Sequence, residues 1–134
     1  MATTTATLTL SSADLTGDAL ALSTTATLTK AGTATGMEET TGVSRKSFAT
    51  AQTAYNLIAA ADFTTPIAAK VYVKNLSSTA AEYVNIEVGA TNVVLGRLYA
   101  GDWAFFPWDG ANDIDIDTSA VNMTVEYMVI YETV

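Results

Sequence analysis

The chain has no cysteine and no histidine in its 134 residues. Without cysteine there is no disulfide framework and no thiolate metal site. Without either residue, most zinc chemistry is excluded, as are every Ser-His or Cys-His nucleophile pair and the usual neutral-pH general base. An enzyme built from this sequence would have to work with carboxylates, tyrosines and a few lysines. The expectation is therefore a non-enzymatic protein with no cofactor. Basic residues are scarce as well: 6 Lys and Arg stand against 14 Asp and Glu, a formal net charge of −8. That balance disfavours nucleic acid, whose recognition needs a basic face. Arg45-Lys46, beside Glu38-Glu39, is the only local basic cluster, and it reads as solvated loop charge that could dock on an acidic neighbour. No window approaches 18 consecutive apolar residues, so no membrane span is expected. Met1-Ala2-Thr3-Thr4-Thr5 lacks the basic and apolar regions of a signal peptide, so synthesis and first residence in a cytoplasm are expected.

Charged residues make up only 15% of the chain, below the usual ~25%, while 49% are hydrophobic. A surface so poor in charge must be rich in uncharged Thr, Ser, Ala and Asn. It suits a protein covered by neighbours, and it suits a plain β domain equally. Large neutral surfaces are commonly covered by closed symmetry, so a homo-oligomer is expected.

What is present is strand periodicity. Residues 1–43 are rich in Thr, Ala and Leu, without aromatics and almost without charge. Ala6, Leu8 and Leu10 alternate with threonines; Leu20 and Leu22, then Ala26 and Leu28, alternate with small polar residues. Ser12-Ala13-Asp14 and Thr16-Gly17-Asp18 are turn-like breaks between them. The later part carries all the aromatics and firmer alternation, with strands expected near 70–75, 83–88, 93–99, 103–108 and 121–131. The last of these sets Val121, Met123, Val125, Tyr127, Val129 and Tyr131 on one face. Residues 49–61 read as helix or strand. Short strands at this spacing indicate an all-β fold, an antiparallel β-sandwich of jelly-roll type. The expected organisation is a single domain over 1–134, with 1–43 an extended arm or edge strands and 44–134 the sandwich core.

Three constellations could carry function. Both tryptophans and two of the four phenylalanines fall between Gly101-Asp102 and Asp109-Gly110. Alternation sets Trp103, Phe105 and Pro107 on one face and Ala104, Phe106 and Trp108 on the other. One face is expected in the core and the other against the arm or a partner, with Trp103 and Val125 expected among the sensitive core positions. A carbohydrate platform built from Trp103, Phe105 and Trp108 is the competing reading. Next, Asp113, Asp115 and Asp117 share one strand face about 7 Å apart. They could cradle Ca²⁺ or form an acidic solvent face that discourages edge pairing. Finally, Gly32-Thr33-Ala34-Thr35-Gly36 lacks the Lys-Ser/Thr and the strand–loop–helix context of a phosphate loop, so a turn is expected. The candidate contact residues are Leu8, Leu10, Leu20, Leu22, Leu28, Trp103, Phe105, Phe106 and Trp108.

The run Lys70-Val71-Tyr72-Val73-Lys74-Asn75-Leu76-Ser77, then Leu95-Gly96-Arg97-Leu98-Tyr99-Ala100-Gly101-Asp102-Trp103 and Phe106-Pro107-Trp108, resembles small structural proteins of tailed bacteriophages, especially those of cyanobacteria. The opening Met1-Ala2-Thr3-Thr4-Thr5-Ala6-Thr7-Leu8-Thr9-Leu10 and the ending Thr124-Val125-Glu126-Tyr127-Met128-Val129-Ile130-Tyr131-Glu132 fit the same pattern. The resemblance implies a virion protein, a capsid decoration or cement protein that binds the head shell, with the major capsid protein or other virion proteins as partners. It also favours a trimer. A tail, baseplate or fibre-attachment component is the close alternative, and a glycan or host-surface binding module is another. In this sequence the arm would add to an exposed sheet edge of its own domain or of a neighbour.

Overall fold

The computed structural model describes residues 3–15, 17–64 and 66–133. Met1 and Ala2 of the Thr-rich opening, and Thr16 of the expected Thr16-Gly17-Asp18 break, lie outside the described residues. The fold is all-β, with eleven strands and two short 3₁₀ turns, Lys30–Gly32 and Ala60–Asp62, among the described residues. No helix among these residues is long and apolar enough to cross a membrane. The chain divides into two compact units, residues 1–38 and 39–134.

The first unit is a hairpin. Strands β1 (Thr4–Ser12) and β2 (Leu20–Leu28) pair antiparallel over nine residue pairs without a register shift. The even positions Ala6, Leu8, Leu10, Leu20, Leu22, Ala26 and Leu28 share one face, and Thr5, Thr7, Thr9, Ser23, Thr25 and Thr27 share the other. The second face is a hydroxyl ladder, with Thr7 and Thr25 2.8 Å apart and Thr9 and Ser23 3.4 Å apart. The Ser12 hydroxyl starts the turn by accepting the Leu15 N–H at 3.1 Å. Thus the two leucine-bearing stretches of the arm pair with each other. Only β3 (Glu39–Thr40), at the end of that region, adds to a sandwich edge.

The second unit holds β3, β4 (Ser44–Phe48), β5 (Tyr55–Ile58), β6 (Ile67–Asn75), β7 (Tyr83–Val88), β8 (Val93–Tyr99), β9 (Trp103–Trp108), β10 (Ile114–Thr118) and β11 (Met123–Thr133). Four antiparallel pairs nest inside one another: β4 with β11, β5 with β10, β6 with β9 and β7 with β8. Pairing of β11 with β6 and of β10 with β7 rolls this long hairpin into two sheets, β4-β11-β6-β9 and β5-β10-β7-β8. Nested pairs rolled in this way form the jelly-roll arrangement of the sandwich. The strand reading of residues 49–61 is the one realised, as β5.

The core follows from period-two alternation of β-branched residues, whose side chains pack well on a pleated surface. Val71, Val73, Val84, Val125, Val129, Ile114 and Ile116 point inward from both sheets and are essentially inaccessible. Edge-on aromatic contacts add Phe48 against Tyr55 at 4.8 Å, and Phe63 against Trp108 and Tyr131 at 5.1 and 5.0 Å. Two expectations are corrected. Val121 precedes β11, in the turn, and is exposed. Trp103 is 52% exposed and is no core residue, because Ala104, Phe106 and Trp108 occupy the inward positions of β9.

One buried polar residue ties the sheets together. Asn75 ends β6 and is fully inaccessible. Its Nδ2 donates to the carbonyls of Leu98 (3.1 Å) and Glu82 (3.2 Å), and its Oδ1 accepts the Ser77 N–H at 2.9 Å. Its backbone N–H donates to the Asp102 carbonyl and its carbonyl accepts the Gly101 N–H, both at 3.0 Å. The loop Tyr99-Ala100-Gly101-Asp102, which carries the chain from β8 to β9, is thereby held to the end of β6. Gly101 sits at φ +82°, a conformation that strains any side chain. Asn75→Ala should lower unfolding stability by about 2 kcal/mol, since one buried and two half-buried partners lose a hydrogen bond, and Val125→Ala by about 2 kcal/mol through its cavity. Trp103→Ala should stay within about 1 kcal/mol of the parent, all three being read from urea melts.

Candidate functional site

With the inward positions of the β4-β11-β6-β9 sheet claimed by the core, its remaining side chains are forced outward. Registration of the strands sets them in rows. Arg45, Glu126, Lys74 and Trp103 form one row; Met128, Tyr72 and Phe105 the next; Thr40, Ile130, Lys70 and Pro107 a third. Trp103 and Phe105 are 52% and 37% exposed, which leaves two aromatic rings at the edge of this face in contact with solvent.

The electrostatics of the face are organised around Glu126. Arg45 Nε donates to Glu126 Oε2 at 2.8 Å, and the Tyr72 hydroxyl donates to Oε1 at 3.0 Å. The Arg45 hydrogen bond, then that of Tyr72, hold the Glu126 carboxyl below its ordinary pKa. Burial, and then Glu126 itself, raise that of Tyr72. With Glu126 matched by Arg45, Lys70 and Lys74 outnumber Glu132, which shares their outward register on β11, and give the face a small positive excess in a chain of net charge −8. Trp, Tyr, Phe, Met and Arg are the residues enriched in protein–protein interfaces, and all five types occur here.

Of the expected contact residues, Trp103 and Phe105 lie on this face. Phe106 and Trp108 do not: alternation turns them inward, where Trp108 is buried and its Nε1 donates to the Asn112 carbonyl at 2.8 Å. A carbohydrate platform of Trp103, Phe105 and Trp108 is thereby excluded, since its members face opposite ways. In the hairpin, Leu8, Leu10 and Leu22 are exposed, Leu20 is half-buried, and Leu28 is buried and so unavailable to a partner. Lys70, Tyr72, Lys74, Met128 and Ile130 share the face as well, although no local pattern marks them as contact residues. Their alternation was visible, but the register that sets them beside Trp103 and Phe105 is not a local property.

The acidic strand lies on the other sheet. Asp113 accepts the Ala60 N–H (2.7 Å) and the Asn56 amide (2.8 Å), and Asp117 accepts the Ala54 N–H (2.9 Å) and the Asn85 amide (3.2 Å). These carboxylates fasten β5 and its flanks to β10. Among the described residues no group of three or more acidic side chains is placed to hold a metal ion. The geometry gives the Ca²⁺ reading of Asp113, Asp115 and Asp117 no support, since Asp113 and Asp117 are engaged as structural acceptors. Asp115 Oδ1 is buried without a hydrogen-bond partner. Arg45 and Lys46 are also not loop charges: both lie in β4, Arg45 on Glu126 and Lys46 with its Nζ 5.7 Å from the Tyr55 ring centre.

A groove of about 550 Å³ opens beside β9, lined by apolar side chains that include Val88, Leu95, Phe106 and Trp108. Its polar lining comprises Lys70, Asn112 and Asp109, and the Asp109 carboxylate already accepts the Ala111 N–H. No protein-family model, no curated protein and no solved structure matches this chain.

Burial, and then the neighbouring Asp113, raise the pKa of Asp115 above its ordinary value. A carboxyl whose folded pKa is raised favours folding in its protonated form, and that advantage is lost as pH climbs through the folded pKa. Asp115→Asn should therefore raise stability at pH 7 by up to about 1 kcal/mol. The gain should vanish below the ordinary carboxylate pKa, as thermal melts across pH 3 to 7 will show.

Proposed function

We propose that this chain is a non-enzymatic structural protein of a bacteriophage virion: a capsid decoration protein that docks on the head shell and stabilises it. The observation that carries the reading is the outward face of the β4-β11-β6-β9 sheet. Exposed Trp103 and Phe105, with Tyr72 and Met128 beside them and Lys70 and Lys74 between, form a surface suited to an acidic protein neighbour. The resemblance in the Lys70–Ser77 and Leu95–Trp108 runs names the kind of neighbour, a shell built by the major capsid protein. The absence of histidine and cysteine argues in the same direction, leaving assembly as the role that needs no reactive group.

A second reading has its own support. Solvent-facing Trp103 and Phe105 on a sheet face could stack on sugar rings, which would make the chain a glycan or host-surface module. The two readings separate in one experiment. Purified protein is mixed with empty phage heads that lack it, and binding is followed by co-sedimentation. The expected result is saturable, stoichiometric binding that raises the heat resistance of the shells. Trp103→Ala should weaken binding about 30-fold, the cost of removing an aromatic anchor. Lys70→Glu with Lys74→Glu should weaken it further at low salt than at high salt. Absence from shells together with retardation on immobilised glycan would overturn the decoration reading, and labelling of tails in whole particles would assign the tail or baseplate position.

A further inference from the structure

We propose that two copies of this chain join through the free edge of β1, antiparallel and centred on Leu8, to form a four-stranded sheet β2-β1-β1-β2. A two-stranded hairpin is marginal by itself in water, and this one is unguarded. Neither Thr4–Ser12 nor Leu20–Leu28 contains a charge, a proline or a bulge. A long edge of that kind is a template for another strand.

The edges of the sandwich are managed differently. Pro107 removes a donor from β9; Arg45 and Lys46 charge β4; β3 has two residues. β5 has four residues and a shifted register against β10, and β8 carries Arg97 and a shifted register against β7. Within the hairpin the two edges also differ. At the Leu28 end of β2, the Met37 N–H donates to the Leu28 carbonyl at 3.1 Å and Gly36 bridges Thr29, whereas β1 meets this segment only through the side chain of its first residue, Thr4 Oγ1 donating to the Met37 carbonyl at 3.3 Å. Among the described strands, β1 pairs with β2 alone.

Self-complementarity selects the occupant. In an antiparallel pair centred on Leu8, Leu8 meets Leu8 of the second copy and Ala6 meets Leu10. Thr7 meets Thr9 and Thr5 meets Ser11, so the aliphatic face continues on one side and the hydroxyl face on the other. Charge points the same way. Each copy carries a net −8, and an uncharged nine-residue edge lets two of them meet without opposed like charges. The contact is a dyad, so it closes at two, in place of the three that the phage resemblance favours. It involves no residue of the shell-docking face and stands whether or not that docking occurs.

The test uses the full chain in sedimentation velocity at high micromolar concentration, with near-UV circular dichroism monitoring the sandwich. The parent should sediment as a dimer. Leu8→Lys and Leu8→Glu, each alone, should raise the dissociation constant about tenfold or more by setting like charges face to face, and their equimolar mixture should recover the dimer. A second measurement exploits the absence of cysteine. Oxidised Leu8→Cys should cross-link to a covalent dimer, because directly opposed Cα atoms in an antiparallel pair lie within disulfide reach. Thr5→Cys, which would face Ser11, should not. A monomeric parent, a trimer, a mixture that stays monomeric, or Thr5→Cys cross-linking as fast as Leu8→Cys would each overturn the proposal.

Discussion

The sandwich depends on the way the end of β6 is tied to the crossing from β8 to β9. Two sheets packed only through aliphatic side chains would tolerate sliding, since hydrophobic contact has no direction. Asn75 supplies direction. All its polar atoms are used, and its amide reaches the Leu98 carbonyl in the opposite sheet while its backbone holds Gly101 and Asp102. A buried amide with every partner present rigidifies and specifies a core, whereas a partly satisfied one would weaken it. Lys74-Asn75 and Tyr99-Ala100-Gly101-Asp102-Trp103, far apart in the chain, are therefore joined in space. The order they impose is a matter of fold construction.

From that clip follows the exposure of the aromatic edge. Once Gly101 and Asp102 are held at the end of β6, β9 must begin at Trp103 opposite Lys74. Trp108 then arrives inward, where it meets Phe63 and closes the core. The same register leaves Trp103 and Phe105 outside, beside the two lysines. A sandwich whose core is already complete with Val, Ile and Trp108 has no need of these rings, and the fold is closed without them.

Charge is distributed with equal economy. The carboxylates of Asp113 and Asp117 are used to hold β5 and its neighbouring loops, so an acidic strand that looks like a ligand set is a fastening. The unpartnered oxygen of Asp115 is the cost of keeping three aspartates on one strand face. Glu126 is matched by Arg45 and Tyr72, which leaves the lysines to set the sign of the outer face. The hairpin carries no charge on either strand, and its leucine face and open edge lack the protection that every edge of the sandwich has.

The sequence alone determined the fold class, the positions of most strands and the absence of His- and Cys-based chemistry, because these follow from local alternation and from composition. Strands at 83–88, 93–99 and 103–108 were legible residue by residue, as were the two faces of β9. Which of those faces is the core was not legible, since Trp103 and Trp108 are equally apolar and only packing against Phe63 and the opposite sheet distinguishes them. The pairing of Thr4–Ser12 with Leu20–Leu28 was equally hidden: alternation shows that a strand exists but not which strand lies beside it. The aspartates looked like a cation cradle because their spacing is local, while the amides that occupy them come from Ala54, Asn56, Ala60 and Asn85, more than thirty positions away in the chain. Register between strands distant in sequence is decided by burial of one face against another, and only the tertiary structure contains that information.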